Sequence, residues 1–91
     1  MKITYDLAKR AAALRNRWLD FKDAVVVFQG VTVDQEDVRF DYGETRMVTV
    51  GLLDSRMVVI AWTPRGDTRR VISMRKANQR EQAKYESRLR R

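Results

Sequence analysis

Ninety-one residues, 44% of them hydrophobic, suffice for one packed domain over 1–91 and exclude both a second core and a disordered chain. The chain has no cysteine and no histidine, which removes disulfides, a thiol nucleophile and the usual general base and metal ligand, so any catalysis falls to Arg, Lys, Glu, Asp, Tyr and Ser. Its net charge of +7 is lopsided: residues 1–45 hold seven Lys/Arg against eight Asp/Glu, whereas residues 46–91 hold twelve against four, and this basic half suits a polyanion.

No apolar run approaches the ~20 residues of a membrane span, and the first residues alternate in polarity instead of forming a signal peptide. A cytoplasmic protein without membrane attachment is expected. Ile3 and Tyr5 alternate with polar neighbours, as in a short strand. Asp6 is placed to cap a helix in which Leu7, Ala11, Leu14 and Trp18 recur at helical spacing. That stripe is expected to pack inward and to leave Lys9, Arg10, Arg15 and Arg17 toward solvent or a ligand. Asp20 reads as a second cap, before a short helix with Phe21, Ala24, Val25 and Phe28 on its apolar face and Gly30 at its end.

Residues 31–40 read as an edge strand carrying Asp34, Glu36 and Asp37, followed by the turn Asp41-Tyr42-Gly43-Glu44. These acids lack the glycine-centred spacing of a calcium loop, so a solvated edge is expected and no metal site. Residues 46–53 and 56–63 are β-rich, and the two-residue link Asp54-Ser55 implies a hairpin between them. Pro64-Arg65-Gly66-Asp67 reads as a further turn, which pairs residues 68–76 beside the preceding strand. Asn78-Gln79-Arg80-Glu81 has the spacing of a capping box, for a helix running toward the C-terminus. The fold class that follows is α+β, an antiparallel sheet of three to four main strands with two N-terminal helices and one C-terminal helix.

The chemistry gathers in residues 62–85. Strict alternation along 68–76 would put Arg69, Val71, Ser73 and Arg75 on one side and Arg70, Ile72 and Met74 on the other. With Ile72 and Met74 packed on helices, Ser73 and Arg75 reach an open face, while Arg70 escapes burial at the strand start. Glu81, Tyr85 and Arg88 follow at spacings of four and three, so a phosphate site with a carboxylate and a phenol beside it is geometrically accessible. Plainer readings stand beside these. Arg75 with Glu81 is also a structural ion pair, Tyr85 a packing residue, and Lys9 and Arg46 ordinary surface cations. Ser73 without histidine is a hydrogen-bond donor, not a nucleophile. Core contacts are favoured over base stacking for Trp18 and Trp62.

One group of segments is more specific. Tyr5-Asp6 with Ala8-Lys9, Phe21 with Asp23-Ala24 and Val27-Phe28, Asp41-Tyr42-Gly43-Glu44-Thr45-Arg46 and Gly51-Leu52-Leu53 occur in order. Residues 59–63 then lead to Arg65-Gly66-Asp67, and Arg70-Val71-Ile72-Ser73-Met74-Arg75-Lys76-Ala77 precedes Glu81 and Tyr85. In this order and spacing the chain resembles the BrnT family of type II toxin–antitoxin ribonuclease toxins across nearly its whole length. The resemblance implies a RelE-like fold, RNA cleavage that blocks translation, and a BrnA-like ribbon-helix-helix antitoxin whose complex with the toxin binds operator DNA. Where such toxins commonly carry Lys-His-Gly near the end of the first helix, this chain has Asn16-Arg17-Trp18.

With RNA as the polyanion, the candidate catalytic residues are Arg70 and Arg75 on the phosphate, Glu81 as proton acceptor with Lys9 as its alternative, and Tyr85 as RNA-orienting group or proton donor. Arg17, Arg46, Arg65, Arg69, Ser73 and Lys76 are the candidate RNA-binding residues. No metal or cofactor is called for. Two other readings fit the same residues: a non-catalytic nucleic-acid-binding module, and a degenerate toxin that only binds its antitoxin.

Overall fold

The computed structural model describes residues 1–90. Asp54 and Ser55 both take positive φ, 49° and 69°, the backbone that lets a two-residue turn follow strand twist. They join β3 (Met47–Leu53) to β4 (Arg56–Arg65), with Leu53 opposite Arg56, as the sequence implies. The next turn is shorter than expected. β4 continues through Pro64 and Arg65, and only Gly66 (φ 60°) and Asp67 separate it from β5 (Thr68–Lys76). Pro64 is tolerated because it lies beyond Trp62, the last β4 residue paired with β3, so its missing N–H deprives no β3 carbonyl.

Two short outer strands complete the sheet. β1 (Lys2–Tyr5) runs parallel to the first half of β5, and β2 (Val33–Glu36) runs antiparallel to β3, giving the order β1-β5-β4-β3-β2. The sheet therefore has five strands where three to four main ones are expected, and it is mixed because β1 meets a strand far along the chain. β2 ends at Glu36, short of the expected residue 40. Asp37 turns the chain there by accepting from the Arg39 N–H and side chain, and residues 37–45 form a loop.

α1 (Leu7–Arg17) is capped by Asp6, whose Oδ1 accepts the Lys9 N–H at 3.0 Å. Its orientation reverses the expectation. Ala13 is its buried residue, whereas Leu7, Leu14 and Trp18 are 73%, 40% and 83% exposed. The helix lies on the sheet through small side chains, and after Trp18 (φ 59°) the chain sends Leu19 and Phe21 into the core instead. A paired fork from Arg10 to Asp20, 2.7 and 2.9 Å, ties the helix to the segment that follows.

Asp20 caps a 3-10 turn, Phe21–Asp23, which runs into α2 (Ala24–Gln29). The tighter turn advances the apolar phase, so Val27 is buried with Phe21, Ala24 and Phe28, while Val25 is half-buried. Val27 sits so close to β3 that a Cβ at Gly51 would come within 2.6 Å of Val27 Cγ1. α1 and α2 cover one face of the sheet over Ile60, Trp62, Val71 and Met74. On the opposite face α3 (Gln79–Leu89) packs Tyr85 and Leu89 against Val50, Met57 and Val59. The capping box at its start is complete: Asn78 accepts the Glu81 N–H and Glu81 accepts the Asn78 N–H. The expected run to the C-terminus stops at Leu89, and Arg91 lies outside the described residues. No helix among the described residues is long and apolar enough to cross a membrane.

Candidate functional site

A β-bulge builds the site. Ala61 pairs with Ser73 and Trp62 with Val71, so Ile72 is an extra residue on β5. Val71 and Met74, three apart, consequently both enter the helix-covered core. The simple alternation expected for residues 68–76 holds on either side of the bulge but not across it. Arg69 goes with Val71 to the helix face, where its guanidinium lies over the rings of Trp62 and Phe28, 4.3 and 4.7 Å from their centroids. Arg70, by alternation from Val71, takes the opposite face, the one that carries Ser73 and Arg75.

On that face a groove of about 480 Å³ opens beside α3. Val48, Val50, Val59, Ala61 and Ile72 form an apolar floor, and Arg39, Arg46, Ser73, Arg75, Glu81 and Tyr85 line the walls together with Gln35, Glu36, Asp37 and Val38, three arginines against three carboxylates. Arg75 and Glu81 form a two-bond fork, Nη1 to Oε1 at 2.8 Å and Nη2 to Oε2 at 2.9 Å. Arg39 forms a similar fork with Asp37, which also accepts the Tyr42 hydroxyl at 2.9 Å. Arg46 is different. It lies over the Tyr42 ring, 3.9 Å from the centroid, its Nε is buried without a hydrogen-bond partner, and it has no ion-pair partner among the described residues. It is the groove arginine without a direct carboxylate partner among the described residues.

Ile72 and Ser73 also border a second hollow of about 300 Å³, lined by Lys9, Ala12, Ala13, Asn16 and Arg17 of α1 and by Phe21. Here β5 has outrun β1, whose pairing ends at Val71, and Arg17 Nη1 donates to the Met74 carbonyl at 3.1 Å. The bulge, at Ile72 and Ser73, is thus shared by the groove, where three arginines face three carboxylates, and by a hollow that is purely basic.

The fold brings together Lys9, Arg17, Arg46, Ser73, Arg75, Glu81 and Tyr85 from the expected set, although Tyr85 is only 6% exposed. Others lie elsewhere. Arg65 pairs with Glu44 at 3.1 Å near a turn, Lys76 borders a cleft with Arg56 and Arg90, and Arg69 is on the helix face. Arg70 is beside the start of α1, where its charge reaches Asp6. Arg39, Asp37 and Tyr42 were not among the expected site residues. The signal for them is the Asp37-x-Arg39 spacing in a segment that reads as strand but folds as a loop over the groove. Two of the three acids weighed as a metal loop are engaged otherwise: Asp34 accepts the Thr49 hydroxyl at 2.6 Å, and Asp37 is held by Arg39 and Tyr42.

The Arg75 fork holds the Glu81 carboxyl below the ordinary carboxylate range, aided by the Asn78 N–H and opposed by partial burial. Arg10 does the same to Asp20, and Arg39 to Asp37. A depressed folded-state value contributes stability above the unfolded value, lost as pH falls toward the folded one. The melting temperature is therefore expected to fall once pH drops below roughly 4, where unfolded carboxyls protonate first. Thermal melts of the parent and of Glu81→Gln from neutral to strongly acidic pH measure this. The variant should lose less stability on acidification, and equal losses would show that Glu81 carries none of the effect.

A ribonuclease toxin family model, BrnT of type II toxin–antitoxin systems, matches residues 5–81, a stretch that includes the bulge, all three arginine forks and the floor of the groove. No curated protein matches the chain. With most of its length matched by that model, the chain belongs to the BrnT family of type II toxin–antitoxin ribonuclease toxins.

Proposed function

We propose that this toxin is a metal-independent endoribonuclease whose work is done in the groove above Ser73. It blocks translation and growth in the cytoplasm until a BrnA-like ribbon-helix-helix antitoxin binds it, and the complex then occupies operator DNA through the antitoxin. The observation that carries the reading is the convergence of Arg39, Arg46 and Arg75 on an apolar floor, with Arg46 lacking any carboxylate partner among the described residues. An apolar floor suits a base and guanidinium groups suit the adjoining phosphates.

The reaction is attack of a ribose 2′-oxygen on the adjacent phosphorus. The 2′-O–P bond forms, the P–O5′ bond breaks, the 2′-proton passes to a base and the 5′-oxygen takes up a proton, leaving a cyclic phosphate and a 5′-hydroxyl. Arg75, with Arg46 beside it in the groove, neutralises charge on the phosphate in the transition state, and Arg70, which lines neither hollow, meets a neighbouring phosphate. Glu81 is the proton acceptor, and Lys9 on α1 is the alternative base. A carboxylate held down by a fork is a weak base, so a phosphate that takes Arg75 from Glu81 also lifts Glu81 toward its ordinary value and frees it to accept a proton. Tyr85 orients the RNA or protonates the leaving oxygen. Ser73 and Arg17 hold the chain across the saddle between the two hollows, and Lys76, Arg65 and Arg69 extend contact beyond it.

The same depressed Glu81 favours a second reading, a basic module that binds RNA without cutting it. Incubation of the purified chain with RNA in excess chelator separates the two. Defined fragments ending in cyclic phosphate are expected, whereas intact RNA retained with steep salt dependence would establish the binder and overturn the nuclease.

A further inference from the structure

α1 presents its large apolar side chains to water. At 100° per residue Leu7, Ala11 and Leu14 fall within an arc of about 60°, with Trp18 continuing it at the C-terminal end, and Lys9, Ala13 and Asn16 on the opposite side line the hollow against β5. An exposed helix face ordinarily carries polar residues, and this one is 73% exposed at Leu7 and 83% at Trp18. The stripe extends roughly 16 Å, three turns, the length over which one amphipathic helix packs on another.

The borders of the stripe say what covers it. Arg10 and Arg17 lie on one side and Arg15 on the other, and from Leu7 to Arg17 there is no acidic residue. Arg10 is occupied by Asp20, and Arg15 makes no ion pair among the described residues. A complementary surface is an apolar ridge flanked by carboxylates. A second copy of this chain, at net charge +7, would set arginine borders against one another. RNA would find one ring to stack on, Trp18, and no use for Leu7 and Leu14. Resting on the family reading, which supplies an antitoxin, we infer that the outward face of α1 is the antitoxin's docking surface and receives an acidic amphipathic helix. The stripe faces away from the groove, so binding there overlaps the RNA surface only at its edge. Arg17, at the border of both, is the cation that the partner and RNA contest.

The test is the Kd between the purified chain and the purified ribbon-helix-helix protein encoded beside it. Leu14→Ala/Trp18→Ala is expected to weaken binding about 100-fold, and Arg15→Glu about 10-fold. RNA cleavage and melting temperature should stay at parental values in both, because these side chains touch neither groove nor core. Parental Kd in both variants would overturn the placement while leaving the antitoxin reading intact. Failure of the parental chain itself to bind would overturn that reading too. If the double substitution abolished RNA retention, or converted a sedimenting dimer to monomer, with the Kd unchanged, the face would belong to RNA or to a second copy and the inference would be wrong.

Discussion

Replacing Arg75 with alanine is expected to lower kcat/KM for RNA cleavage by about 10² to 10³, the usual loss when one preorganised donor to a developing charge is removed. The expectation follows from position: Arg75 stands on the groove face, one strand from the floor residues Val59 and Ala61, and presents both terminal nitrogens toward Glu81. Stability should move little. The ion pair is 43% exposed on its Arg75 side, pairs of that kind contribute about 0 to 1 kcal/mol, and Glu81 keeps its bond to the Asn78 N–H. Arg75→Lys retains charge without the fork and should recover only part of the rate. Single-turnover cleavage of a defined RNA, with melting temperatures for each variant, measures both. A folded Arg75→Ala chain that cuts RNA like its parent would remove the groove from the mechanism.

Trp62→Ala is expected to cost about 3 to 5 kcal/mol, the range for deleting a large buried aromatic side chain. Against a typical stability of about 5 to 15 kcal/mol, that brings a domain of this size near unfolding at ordinary temperature. Trp62 meets Phe28 edge-on at 5.6 Å, supports the Arg69 guanidinium, and donates through Nε1 to Thr49 Oγ1 at 2.7 Å. Thr49 in turn donates to Asp34, so one side chain links helix α2, strand β3 and edge strand β2. Trp62→Phe keeps most of the volume and loses the donor. It should cost about 1 kcal/mol, leaving the buried Thr49 oxygen one bond short. Urea denaturation of the two variants separates packing from hydrogen bonding, and a Trp62→Ala midpoint equal to the parent's would contradict the core described here.

Local chemistry was readable from the chain. Asp54-Ser55 turned as a two-residue hairpin, and Asp6, Asp20 and Asn78 capped where their spacing says they should. Each depends on a few neighbouring residues and on backbone hydrogen bonds that must be satisfied near them. The α1 stripe misleads for a different reason. Periodicity marks an apolar face but does not say what it meets, and Ala12 and Ala13 allow the helix to sit on the sheet by its other side. The Asp37 loop was hidden in a strand-like stretch because its decisive bonds, from Arg39 and Tyr42, exist only in the turned conformation and leave no mark on the apolar pattern.

By itself, the sequence determined an α+β chain with a basic second half, without histidine or cysteine, and with family segments running from Tyr5 to Glu81. Tertiary structure decided which of its many arginines work together. One extra residue at Ile72 reverses the side-chain phase along β5, so that Arg69 goes with Val71 to the helices while Ser73 and Arg75 keep the open face. A bulge has no residue signature of its own here. It lets β5 bury both Val71 and Met74 on one side while staying paired with β4, and only the paired strands, not either segment alone, contain that requirement.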